Sequence, residues 1–117
     1  MAAATKNPRL RLEHILFHIR GVEQTVAGVS YETFRSVYHM ERTVERAVAI
    51  ISEATRALPK ELLERYPCGE WQKIISIGNF IRHEYDRIDP EVMWEIATVQ
   101  LPALKPVIAQ MLADMSA

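Results

Sequence analysis

The side chains best suited to acid–base chemistry gather in one stretch, Gly78-Asn79-Phe80-Ile81-Arg82-His83-Glu84-Tyr85-Asp86-Arg87-Ile88-Asp89. On a helix turning about 100° per residue, Asn79 and His83 share a face, Arg82 and Asp86 flank it, and Tyr85 joins Ile81 and Ile88 on an apolar seam. A histidine exchanges protons near neutral pH. An arginine beside it is a fixed cation, able to hold an anion or stabilise developing negative charge. The same spacing also describes a solvated helix surface with local ion pairs such as Arg82–Asp86, and spacing alone does not choose between the two.

Other candidates carry less. His14 and His18 are one helical turn apart, as in zinc-binding helices, but the general-base glutamate of a His-Glu-x-x-His motif is missing between them. His39 has no evident ligand partner, so no metal site is expected. The single cysteine, Cys68, cannot close an intrachain disulfide and has no His, Lys or Arg beside it to lower its pKa. There is no Gly-rich phosphate loop, and the Met and Trp residues suit core packing. No cofactor is expected.

The elements that must position these residues are helical. Of 117 residues, 49% are hydrophobic and 25% charged, which suits a folded domain and excludes a disordered tail protein. Four glycines and six prolines are too few for the frequent turns of a sandwich or barrel. Asn7-Pro8 reads as an N-cap followed by proline at the first helical position. Leu12, Ile15, Leu16, Ile19, Val22 and Val26 then recur at helical spacing, up to a loosening near Gly28. Ser30 caps a second helix whose seam is Phe34, Val37, Val44, Val48, Ile51 and Leu58; it is expected to run about seven turns and to close at Pro59.

Lys60 to Arg65 can form a short helix, and Tyr66-Pro67-Cys68-Gly69 is a turn. Trp71, Ile74, Ile77, Ile81, Tyr85 and Ile88 continue the helical spacing until Asp89-Pro90-Glu91 stops that helix and caps the next. Val92, Ile96, Val99, Leu104, Val107, Ile108 and Met111 build the last helix, in which Pro102 and Pro106 predict a kink or break. There is no internal repeat. The pattern predicts a single domain over residues 1–117, an all-α antiparallel four-helix-type bundle with an extra short helix. A chain this size leaves apolar helix faces that a second copy could cover, so a homodimer is expected.

Partners and compartment follow from charge and apolar runs. The formal net charge of −1 gives no global attraction for nucleic acid, so any RNA contact rests on a local cluster of Arg, Lys and His. No run approaches the ~18 uninterrupted apolar residues of a membrane span. The segment from Met1 to His14 lacks a secretory h-region. A cytoplasmic protein without a membrane partner is expected.

The stretch around His83-Glu84-Tyr85 resembles the His-any-Tyr signature of the HepT-like toxins, a branch of the HEPN superfamily of small helical ribonucleases. The resemblance covers nearly the whole chain. Ile50-Ile51-Ser52-Glu53-Ala54 is similar to the family's Ile-Gly-Glu-Ala stretch, and Trp71, Ile74, Asn79, Ile88, Asp89, Trp94, Leu101, Pro102 and Leu104 fall where the family pattern has such residues. The resemblance implies a homodimeric helical toxin that cleaves RNA without metal. It also implies an MNT-type nucleotidyltransferase as antitoxin, which adenylylates the toxin on the motif tyrosine, here Tyr85. Glu53, on the second long helix, is a polar residue that lines either the site or the bundle interior.

One departure from the family pattern matters. The motif arginine, separated from the histidine by four to six intervening residues, has no counterpart among Ser76, Ile77 and Gly78; Gly78 takes its usual place. In metal-independent cleavage the ribose 2′-OH attacks the adjacent phosphate, which requires a proton acceptor and a cation. His83 is the candidate acceptor. The cation could come from Arg82, from Arg87 as a further binding residue, or from a second subunit, with Asn79 assisting. The competing expectation is a non-catalytic helical subunit that binds nucleotide or substrate within a nucleotidyltransferase complex.

Overall fold

The architecture follows the apolar periodicity closely in its first helix and departs from it at three later points. The computed structural model describes residues 7–116. Helix α1 spans Pro8–Val26, and the Asn7 side chain accepts hydrogen bonds from the backbone N–H groups of Arg9 and Leu10. Leu12, Ile15, Ile19 and Val22 are buried along its inner stripe. Gly28, at φ +71°, turns the chain. Ser30 then caps α2, Tyr31–Ser36, by accepting from the Thr33 N–H.

The second long helix is not continuous, contrary to the seven-turn expectation. Val37 is extended, at φ −95° and ψ 110°, and separates α2 from α3, Tyr38–Arg56. The break has a packing cause: Phe34 is fully buried with its ring 5.1 Å from that of Trp94. A straight helix would have to carry both that contact and the buried stripe Val44, Val48 and Ile51. Ser36 also helps to end α2, its hydroxyl donating to the Glu32 carbonyl at 2.6 Å.

Helix α4 spans Lys60–Glu64, and a 3-10 turn at Pro67–Gly69 leads into α5, Trp71–His83. The Trp71 indole N–H donates to the Leu63 and Tyr66 carbonyls, pinning the start of α5 to that connection. Helix α5 is shorter than its apolar spacing suggests. Glu84, at φ −127° and ψ 42°, stops it, and Tyr85–Arg87 form a separate 3-10 turn. Tyr85 therefore leaves the expected apolar seam and is 78% exposed. The Arg82–Asp86 pair of a continuous helix does not form; Arg82 turns to Glu53 and Asn79.

Asp89 caps α6, Pro90–Glu95, which continues through a π turn at Ile96–Gln100 into α7, Leu101–Ser116. The expected proline break takes this form. The Leu101 N–H reaches back five residues to the Ile96 carbonyl, so the wider turn meets Pro102, which has no N–H to give, without ending the helix. The turn also resets the register: Ala97, Leu101, Leu104, Ile108 and Met111 are buried, whereas Val99 is exposed. By length and composition Pro90–Ser116 could cross a membrane, and it lays that buried face into the bundle core.

The helices pack as an all-α bundle with α1 and α3 as its central pair, α5 against α3 and α7 against α1. Cross-links fix antiparallel neighbours. Lys105 pairs with Glu23 at 2.8 Å, and Arg9 donates to Ser116 at 2.9 Å, joining opposite ends of α7 and α1. No strand occurs among the described residues.

Candidate active site

The site is assembled where the C-terminal ends of α3 and α5 lie side by side. Their close approach depends on Gly78, which is buried in α5 against Ser52 of α3 with no room for a side chain. The Ser52 hydroxyl donates to the Ile75 carbonyl at 3.0 Å, tying the two helices at the same level. Gly78 thus serves helix packing, and no longer residue fits at that position against Ser52.

One turn beyond this contact the helices exchange polar groups. Asn79 Oδ1 accepts from Arg82 Nη2 at 2.7 Å and from Arg56 Nη2 at 2.5 Å. Arg82 Nη1 lies 3.4 Å from Glu53 Oε1, and Arg56 Nε lies 3.9 Å from the same oxygen. Two guanidinium groups are therefore held by one carboxamide and one carboxylate. Each of these ion pairs is solvent-exposed and worth little to stability, so their effect is to orient the cations.

His83 follows Arg82 in the last turn of α5 and is exposed. Its imidazole makes no ion pair with a carboxylate among the described residues. Tyr85 stands just beyond, on the 3-10 turn. Arg87 points elsewhere, pairing with Glu84 at 3.3 Å, and does not join the cluster. Of the residues singled out in the sequence, Asn79, Arg82 and Glu53 meet directly, with His83 next in chain.

Arg56 is the member that periodicity does not reveal. Its only local signal is the i,i+3 spacing from Glu53; its bond to Asn79 depends on the register set by Ser52 and Gly78. A second feature was equally hidden. Arg82 and Glu53 also line a groove of about 700 Å³ between α1 and α3, together with Arg11, His14, Arg42 and Arg46. His14 and His18 gather no metal-ligand cluster, and no group of three or more His, Cys, Asp or Glu side chains suited to a metal occurs among the described residues.

A cation network that includes Arg82, next in chain to an exposed imidazole, has the groups to bind a phosphodiester and to move a proton, which is the chemistry of phosphodiester transfer. Comparison with known proteins bears on that class. The model of a family described as Ribonuclease HepT-like matches residues 15–111. A protein of Caldanaerobacter subterraneus subsp. tengcongensis named "Putative RNase TTE0752" is 32% identical over 107 residues, covering 92% of this chain and 96% of its own length. "Probable ribonuclease HepT" of Thermococcus cleftensis is 27% identical over 94 residues, covering 80% of this chain and 86% of its own. No solved structure matches. The family match spans most of the bundle, from the inner stripe of α1 to that of α7, and the chain belongs to the HepT-like ribonuclease family.

Proposed function

We propose that this chain is the toxin of a toxin–antitoxin pair: a cytoplasmic, homodimeric endoribonuclease that works without metal. The observation that carries the reading is the cluster in which Asn79 and Glu53 hold Arg82 and Arg56 beside exposed His83. His83 accepts the proton of a ribose 2′-OH. The 2′ oxygen then bonds to the adjacent phosphorus and the P–O5′ bond breaks. Protonated imidazole, from the same or the second protomer, supplies the proton to the departing 5′ oxygen. Arg82, oriented by Asn79, meets the charge growing on the phosphoryl oxygens. Glu53 and Arg56 act through that orientation as positioning residues.

The antitoxin in this reading is an MNT-type nucleotidyltransferase, and its target is Tyr85. The tyrosine Oη attacks the α-phosphorus of ATP, forming a new O–P bond and releasing pyrophosphate. The ring's exposure, two residues beyond the end of α5, supports access by such a partner. The resulting phosphodiester places negative charge and bulk two residues from His83, where an RNA phosphate would otherwise sit.

A second reading is favoured by buried Gly78 at the usual place of the motif arginine: a non-catalytic subunit that binds nucleotide or substrate for the transferase. Purified protein incubated with RNA and a chelator separates the two. Cleavage that leaves 2′,3′-cyclic phosphate ends and disappears in His83→Ala supports the ribonuclease. Inert wild-type protein that still binds the nucleotidyltransferase supports the subunit.

A further inference from the structure

The groove between α1 and α3 meets the Asn79 cluster only along one edge, at Arg82 and Glu53. Near that edge four arginines, Arg11, Arg42, Arg46 and Arg82, face two glutamates, Glu45 and Glu53, in a chain whose formal net charge is only −1. Arg42 is engaged by Glu45 at 2.7 Å, and Arg82 by Glu53. Arg11 and Arg46 have no carboxylate partner among the described residues. The Nε of Arg11 is buried with no hydrogen-bond acceptor. That nitrogen is out of reach of a ligand; it is the rest of the guanidinium of half-buried Arg11, in the groove wall, that an anion would meet.

The groove continues into a second hollow of about 530 Å³ that shares Arg42 and Arg46 as its wall. Two aromatic rings stand there in solvent, Phe17 at 69% and Tyr38 at 76% exposure, with the Arg42 guanidinium 5.3 Å over the Tyr38 ring. His18 reports the local field: burial, then His14 and Arg46, hold its pKa below the ordinary histidine value. From Arg11 to Thr25 along α1 the two hollows extend on the order of 20 Å. That is too long for one nucleotide and suits a short single strand. A second copy of this chain laid on the groove about a twofold axis would bring these arginines toward their own counterparts, a like-charge arrangement that a polyanion avoids.

We propose that the α1–α3 groove is a substrate-strand site. In it Arg11 and Arg46 hold backbone phosphates of single-stranded RNA flanking the bond cleaved at His83, while Phe17 and Tyr38 stack its bases. The proposal rests on the ribonuclease reading and extends it along the strand, since Arg82 and Glu53 belong both to the groove and to the cluster beside His83.

Binding of a labelled 12-nucleotide single-stranded RNA to the full-length, cleavage-deficient His83→Ala protein tests the proposal. Adding Arg11→Gln and Arg46→Gln is expected to weaken binding by ten- to a hundredfold and to reduce the salt slope of log K by about 1.4, the value for two lost phosphate contacts. Phe17→Ala, made separately, is expected to weaken it about tenfold. Lys73→Gln, at the start of α5, paired with Glu70 and lining neither hollow, is the control and should change affinity less than twofold. If wild type cleaves RNA but affinity ignores Arg11, Arg46 and Phe17, the groove proposal is overturned while the ribonuclease stands. If these substitutions dissociate a dimer and leave RNA affinity unchanged, a second copy occupies the groove and the proposal is equally overturned. Wild-type protein that neither cleaves nor binds RNA removes the ribonuclease reading itself.

Discussion

Ser52 and Gly78 meet so closely across α3 and α5 that a β-carbon built on Gly78 would collide with both the Oγ and the Cβ of Ser52. A glycine inside a helix costs about 1 kcal/mol relative to alanine, yet here it permits the approach that brings Arg56 to Asn79 and Arg82 to Glu53. Gly78→Ala is therefore expected to destabilise the fold by about 1–3 kcal/mol despite its better helix propensity. Ser52→Gly in the same chain should relieve part of that loss, because the clash involves only the serine side chain. Urea unfolding of the two single variants and the double variant measures the coupling.

The cluster makes a graded prediction about its two arginines. Arg82→Ala removes the cation next to His83 and should lower kcat by about 10² to 10³. Arg56→Ala should lower it less, since that guanidinium acts by holding Asn79. Arg82→Lys should restore little, because lysine cannot contact Asn79 and Glu53 through one planar fork. Steady-state cleavage by the three variants checks the order; equal losses at both positions would contradict it.

Much of this arrangement was legible in the sequence, and the misses share a cause. The caps at Asn7, Ser30 and Asp89 and the stripe of α1 are local patterns, and they appear as read. The break at Val37 is not local, because it comes from Phe34 packing on Trp94, sixty residues further along. Tyr85 fits an apolar helical seam by spacing, but Glu84 ends the helix first and exposes the ring. Arg56 and the α1–α3 groove depend on the relative register of different helices, which no periodicity within one helix encodes.

Exposure of Tyr85 leads to a test of regulation. Tyr85→Phe should fold with unchanged thermal stability, since the hydroxyl makes no hydrogen bond among the described residues and the ring is in solvent. If the proposed nucleotidyltransferase partner modifies this tyrosine, the variant should also escape AMP transfer when incubated with that partner and ATP. Mass spectrometry locates the added group; modification that persists in Tyr85→Phe would contradict the assignment.

Glu41 sets a pH dependence away from the site. Burial, then the neighbouring Glu45, raise its pKa above the ordinary glutamate value. The folded state thus holds this proton more tightly than the unfolded chain, so the ionised carboxylate opposes folding at neutral pH. That penalty is complete above the raised folded pKa and vanishes below the unfolded value of about 4.3. Glu41→Gln should accordingly raise Tm at pH 7, with the gain shrinking as the pH is lowered toward 4. A gain that is constant across the range would show that ionisation is not its source.

RNA cleavage in the presence of excess EDTA, by wild-type protein and by His83→Ala, tests the central claim most directly. The cluster beside His83 predicts that wild type cuts RNA to products with 2′,3′-cyclic phosphate and 5′-hydroxyl ends, and that His83→Ala, folded to the same Tm, is inactive. Cleavage that requires added metal, or that continues undiminished in His83→Ala, would contradict it.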